Sequence, residues 1–235
     1  SMLKQQPRTV AMPANAQAAS LGMVADASAN KVLRDTYRLL SITLAFSALV
    51  AATSAVMRLP HPGLLLTLVG YFGLLVLTSH VRNCPWGVLS VFGLTGFMGY
   101  TLGPLIAAYL AVPGGSGIVT TAMGSTAAIF LALSWYARRE DAIDMSRFGT
   151  FLMIGIITAF CLALAAWFLA LPGLSLAVSG IFVLLMSGLI MYQTQAIVRG
   201  GETNYIMATV TLFVSIFNLF TSLMHLLGAF GGDEG

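Results

Sequence analysis

The sequence predicts an all-α integral membrane protein, with seven transmembrane helices packed around the C-terminal one. Three observations lead there. Of 235 residues, 58% are hydrophobic and only 8% are charged, where a soluble domain carries about 25% charged residues. Apolar runs near the roughly 20 residues a bilayer requires recur seven times, separated by turn residues. The last run, Asn204 to Phe230, carries Asn204, Ala208, Thr211, Ser215, Asn218, Ser222 and His225 at alternating spacings of four and three. That period places all of them on one side of a helix. Polar groups are costly in lipid, so the stripe is expected to face other helices.

In chain order, residues 1–30 are rich in Ala, Gln, Ser, Asn and Met and lack the apolar core of a signal peptide. They read as a flexible cytosolic tail. A transmembrane domain over residues 31–230 and a short external tail, 231–235, complete the division. Lys31, Arg34 and Arg38 lead into the first helix, Leu39 to Met57, and a Pro-Gly turn at Pro62-Gly63 precedes the second, Leu64 to Thr78 with an extension to His80. Helix three, Trp86 to Leu110, contains Gly93, Gly96, Gly99 and Gly103 ahead of Pro104. Small residues at this spacing allow close backbone approach between membrane helices, and the proline permits a bend. Helix four is Ile118 to Tyr136. The loop from Ala137 to Arg147 holds the densest cluster of charge. Helix five runs from Phe148 to Leu169, helix six from Leu174 to Val198. Gly200, Gly201, Glu202, Thr203, Asn204 and Tyr205 form a tight turn into helix seven, the glycines suiting a helix stop and Thr203 or Asn204 a helix start.

Lysine and arginine set the orientation. With the N-terminus inside, ten of the eleven basic residues fall on inner segments, and Arg58 is the exception. The C-terminal segment, with Asp233 and Glu234 and no base, then lies outside.

No Asp, Glu, Lys or Arg lies within a predicted span. Proton relays and ion pathways usually rest on such groups. His225, His61 and His80 have no Cys, Asp or Glu at metal-ligand spacing, and Cys84 and Cys161 form no metal or disulfide motif. Nucleophile elbows, HExxH and phosphate-binding glycine loops are missing as well. The sequence therefore predicts neither catalytic residues nor cofactors nor a metal, and no nucleic-acid partner. The most polar span terminus is Tyr192-Gln-Thr-Gln195, whose amides suit hydrogen bonding to loop backbone.

These residues resemble those of the Bax inhibitor-1 family. The match rests on Tyr192-Gln-Thr194, Gly200-Gly-Glu-Thr-Asn-Tyr205 and Ser215-Ile-Phe-Asn-Leu-Phe220. Lys31-Val-Leu-Arg-Asp-Thr-Tyr37, Leu68-Val-Gly70 and Thr95-Gly-Phe-Met-Gly-Tyr100 extend it. The pattern is similar to the bacterial YccA-like branch and spans residues 31–230. The resemblance implies seven helices wrapped around the seventh and an inner-membrane location. It also implies a non-enzymatic role modulating FtsH, a membrane-anchored AAA protease, with the N-terminal tail as the engaged segment. Other members resemble pH-regulated calcium leak channels gated by paired aspartates, whose positions match Gln193 and Ser215 here. Two adjacent carboxylates share a proton and sense pH, whereas an amide and a hydroxyl do not titrate there. A calcium or other cation leak without that sensor is the alternative reading.

Overall fold

The computed structural model describes residues 12–231. Residues 1–11 and 232–235, which include the start of the expected tail and the acidic pair Asp233 and Glu234, lie outside the described residues. The helices are α1 (Ala14–Val56), α2 (Leu64–Val81), α3 (Trp86–Leu110), α4 (Gly115–Ala137), α5 (Gly149–Phe168), α6 (Pro172–Val198) and α7 (Tyr205–Gly231). A 3-10 turn, Met145–Phe148, precedes α5. All seven helices are long and apolar enough to cross a membrane. The α2–α3, α4–α5 and α6–α7 connections share one end of the bundle, termed the basic end for its arginines. The α1–α2, α3–α4 and α5–α6 connections lie at the opposite end.

The main difference from expectation is α1. Residues 14–30, expected as a flexible tail, continue the first span as one helix of 43 residues. This stretch is rich in alanine and free of proline. Alanine is the best helix former, and a helix already nucleated by the span adds further residues at little cost. The extension is exposed, with Leu21 66% and Met23 73% accessible. It makes α1 about 65 Å long, roughly twice what a hydrocarbon core needs.

α7 occupies the centre. It touches α1, α2, α3, α4 and α6, and only α5 is held off it. Most of its circumference is buried: Leu212, Phe213 and Leu219 are as inaccessible as Ala208 and Ser215, while the face carrying Met207, Thr211, Val214, Asn218, Thr221 and His225 is half-buried. The polar stripe thus runs along the border between the buried and half-buried faces of the central helix. α5 packs on α6 and the 3-10 turn, while α2 buries only Thr78 and leans on α3. The outward sides of both are apolar, with Leu65, Val69, Phe151 and Ile154 exposed, as suits a surface solvated by lipid.

α1 and α3 form the closest helix pair. A Cβ at Gly99 would collide with the backbone of Ser47, and one at Gly103 with Ser54 and the Ala51 carbonyl. The two glycines let the backbones approach, so the small residues of α3 serve packing inside the chain. The proximity answers a local problem. Pro104 has no N–H, which orphans the carbonyl of Tyr100 one turn earlier. Ser54 Oγ of α1 donates to that carbonyl at 3.0 Å.

Candidate functional site

The α7 stripe mostly satisfies itself. Thr211 Oγ1 donates to Met207 O at 3.0 Å, Ser215 Oγ to Thr211 O at 2.7 Å and Asn218 Nδ2 to Val214 O at 2.9 Å. Ala208 and Ser222 are buried packing positions. Asn218 also bonds the Tyr71 side chain of α2, and the two ends of the stripe reach other elements as well.

At the basic end Asn204 does so through its Nδ2, while its Oδ1 serves α7 itself. Its Oδ1 accepts from Met207 N at 3.0 Å, which caps α7. Its Nδ2 donates to Asn83 Oδ1 at 2.9 Å and to Arg82 O at 3.3 Å, in the α2–α3 connection. Glu202 Oε1 accepts from Asn204 N at 2.9 Å and holds the turn. Of the two glycines expected to end α6, Gly200 takes a φ of 82°, whereas Gly201 keeps an ordinary φ. Thr203 is exposed and Tyr205 opens α7. The Gly200–Tyr205 turn is therefore a structural lock.

A second lock joins α6 to the α4–α5 connection. Gln195 is buried, its Nε2 donating to Ile143 O at 2.6 Å and its Oε1 accepting from Met145 N at 2.8 Å. This is the amide-to-loop bonding that the polar terminus of α6 suggests. Arg199 Nη1 donates to Asp144 Oδ1 at 2.9 Å. The Asp144 carboxyl is held below its ordinary value of 3.8, first by the Ser146 hydroxyl, then by the Ser146 N–H, with Arg199 and Arg147 adding attraction. All three connections of the basic end are thus tied to α6 or α7.

Gln193 and Ser215 do not meet through a hydrogen bond. Ser215 turns to its own helix, and Gln193, 6% accessible, leaves its Nε2 without a protein partner. At the opposite end His225 Nδ1 lies 2.6 Å from Ser179 Oγ of α6. His225 also lines an open cavity of about 400 Å³ with Tyr109, Ile118 and Gly228. A second open cavity, about 450 Å³, lies between α2, α3 and α7 beside His61, Thr101, Phe217 and Thr221. Among the described residues no three His, Cys, Asp or Glu side chains gather as metal ligands.

Sequence reasoning missed Ser54, Ser179 and the loop partners of Gln195. A signal existed for Ser54 alone: a proline inside a span demands a donor at the depth of the carbonyl it orphans. The partners of His225 and Gln195 are more than forty residues away in sequence, and no local pattern reveals them.

Residues 29–232 match the family model described as inhibitor of apoptosis-promoting Bax1. The chain is 49% identical over 201 residues to the Escherichia coli protein named modulator of FtsH protease YccA, covering 86% of this chain and 91% of that one. An uncharacterized Pseudomonas aeruginosa protein is 49% identical over 203 residues, with the same coverage. An uncharacterized membrane protein of Vibrio cholerae is 39% identical over 206 residues, 87% of this chain and 92% of that one. With its matched span running through six of the seven helices entire and the membrane part of α1, this chain belongs to the Bax inhibitor-1 family.

Proposed function

We propose that this chain is a multi-pass protein of the bacterial inner membrane that modulates, by inhibition, an FtsH-type AAA protease. It does so without catalysing a reaction itself. The observation that carries the reading is the 49% identity, over most of both chains, to a relative named as a modulator of that protease. The fold is consistent with it. The basic end faces the cytosol by the distribution of lysine and arginine. From that end the exposed part of α1 projects, while the locked connections form a firm base. The N-terminal 30 residues are the engaged segment, because an unfolding protease grips a chain away from its packed core. The test is cleavage and inhibition with reconstituted protease. Deleting residues 2–30 is expected to abolish both, and unchanged inhibition by the truncated protein would remove the tail from the mechanism.

The second reading, a cation leak, draws on the two open cavities at the opposite end. Calcium flux into dye-loaded proteoliposomes tests it, with a Gln193→Asp, Ser215→Asp double variant alongside. Flux from the parent protein above empty vesicles supports conduction. Flux confined to the double variant means a scaffold that lacks the sensor.

A further inference from the structure

Five buried side-chain polar atoms have no protein hydrogen-bond partner among the described residues: Thr36 Oγ1, Tyr37 OH, Ser134 Oγ, Gln193 Nε2 and Thr194 Oγ1. They are not scattered. Ser134 stands three residues from the end of α4, and Gln193 and Thr194 within five of the end of α6. Thr36 lies beside the second turn of α7, its carbonyl accepting from Thr209 Oγ1 at 3.4 Å. The Tyr37 ring packs edge-on against Phe130, centroids 6.2 Å apart, one helical turn from Ser134. α6 touches both α1 and α4. All five atoms therefore sit at the basic end, where α1, α4 and α6 converge on α7.

An unsatisfied buried polar group carries its full desolvation penalty, and buried polar groups are as a rule hydrogen-bonded. Five together call for a polar partner that the described residues do not supply. We propose that the basic ends of α1, α4 and α6 enclose a water-binding chamber. Its chemistry selects water over an ion. Four hydroxyls both donate and accept, and the amide nitrogen donates. No carboxylate is among the five groups to compensate a cation. Arg138 stands at the rim, its Nε donating to Ser134 O at 3.2 Å, which opposes cation entry further. One turn deeper Leu40, Ile190 and Phe213, each at most 2% accessible, close the chamber with apolar surface. Water thus reaches the level of Gln193 and stops short of Ser215. This inference is independent of the protease partner.

The test rests on a sign. If Thr194 Oγ1 is dry and unpaired, Thr194→Val removes an unsatisfied group and raises the melting midpoint. If the hydroxyl holds water, the same change strips a partner from that water and lowers the midpoint by about 2–4 °C. A fall is expected for Thr194→Val and for Ser134→Ala, with Thr194→Ser close to the parent. A rise, or no change, overturns the chamber. Radiolytic hydroxyl labelling, which marks side chains next to bound water, gives a second readout. Tyr37 is expected to be modified in the parent and less so in Thr194→Val, while Met98 and Met186 of the apolar core stay unmodified. Equal Tyr37 labelling in parent and variant counts against the proposal.

Discussion

Ser54 and Gln195 are single side chains whose removal leaves a backbone group in the bundle with nothing to bond. Ser54→Ala frees the Tyr100 carbonyl at a depth where neither the helix, because of Pro104, nor bulk water replaces the donor. A loss of about 1–3 kcal/mol is expected, read as a lower unfolding midpoint in detergent or bicelles. Gln195→Leu strips two bonds from the α4–α5 connection. It is expected to raise protease sensitivity between residues 138 and 148 before it changes the helical content. Ala170 shows the opposite sign. Its φ of 50° is a left-handed conformation held by a residue with a Cβ. Ala170→Gly removes strain of roughly 1–2 kcal/mol and gives back part of it as unfolded-chain entropy, so a net gain of up to ~1 kcal/mol is expected in the same melt.

At the scale of elements the helix pair α1–α3 is the least tolerant. Gly99→Leu sets a branched side chain against the Ser47 backbone, where no rotamer helps, and helix separation follows. The expected outcome is a loss of folded protein, measured by size-exclusion recovery. A Leu at Gly124, which faces open space on α4, is expected to be tolerated and serves as the control. The projecting part of α1 behaves differently again. It is exposed and adds little to the bundle, so deletion of residues 2–30 is expected to leave the melting midpoint within about a degree, a surface change of no more than ~0.5 kcal/mol. On the proposed reading, the loss of inhibition expected from that deletion is then a loss of function without a loss of fold.

For the whole molecule, the basic end carries one carboxyl held away from its ordinary value. Asp144 has a depressed carboxyl pKa in the folded protein. What it contributes is present above the unfolded value, near 3.8, and is lost as pH falls through the lower folded one. Between about pH 5 and 8 it stays ionised, and Gln193 and Ser215 do not titrate at all. On the proposed reading, Asp144, Gln193 and Ser215 therefore add no pH dependence to inhibition over that range. Substituting Asp at both positions is expected to introduce a dependence, because the family resemblance matches them to an aspartate pair that shares a proton. The lock between Arg199 and Asp144 is half exposed on both sides, so added salt is expected to weaken it while the buried Gln195 bonds persist.

The spans, their order and the family were legible in the sequence because they follow from local quantities: apolar run length, turn residues, and the three-and-four spacing of α7. The bounds of α3 agree with the expectation at both ends, since Pro85 and the glycines around 114 punctuate the chain. What the tertiary structure alone decided is which polar groups are spoken for. The stripe of α7 looks from sequence like a surface that seeks partners, yet its central members bond to their own helix. The groups left over include Thr36, Ser134 and Thr194, which no periodicity marks. The extension of α1 was likewise decided beyond local composition: a polar, alanine-rich segment is a loose coil on its own and a helix when a membrane span nucleates it. Local pattern fixes where a helix runs, because its hydrogen bonds are internal. Which side chains remain unsatisfied depends on neighbours distant in sequence, and only packing brings those together.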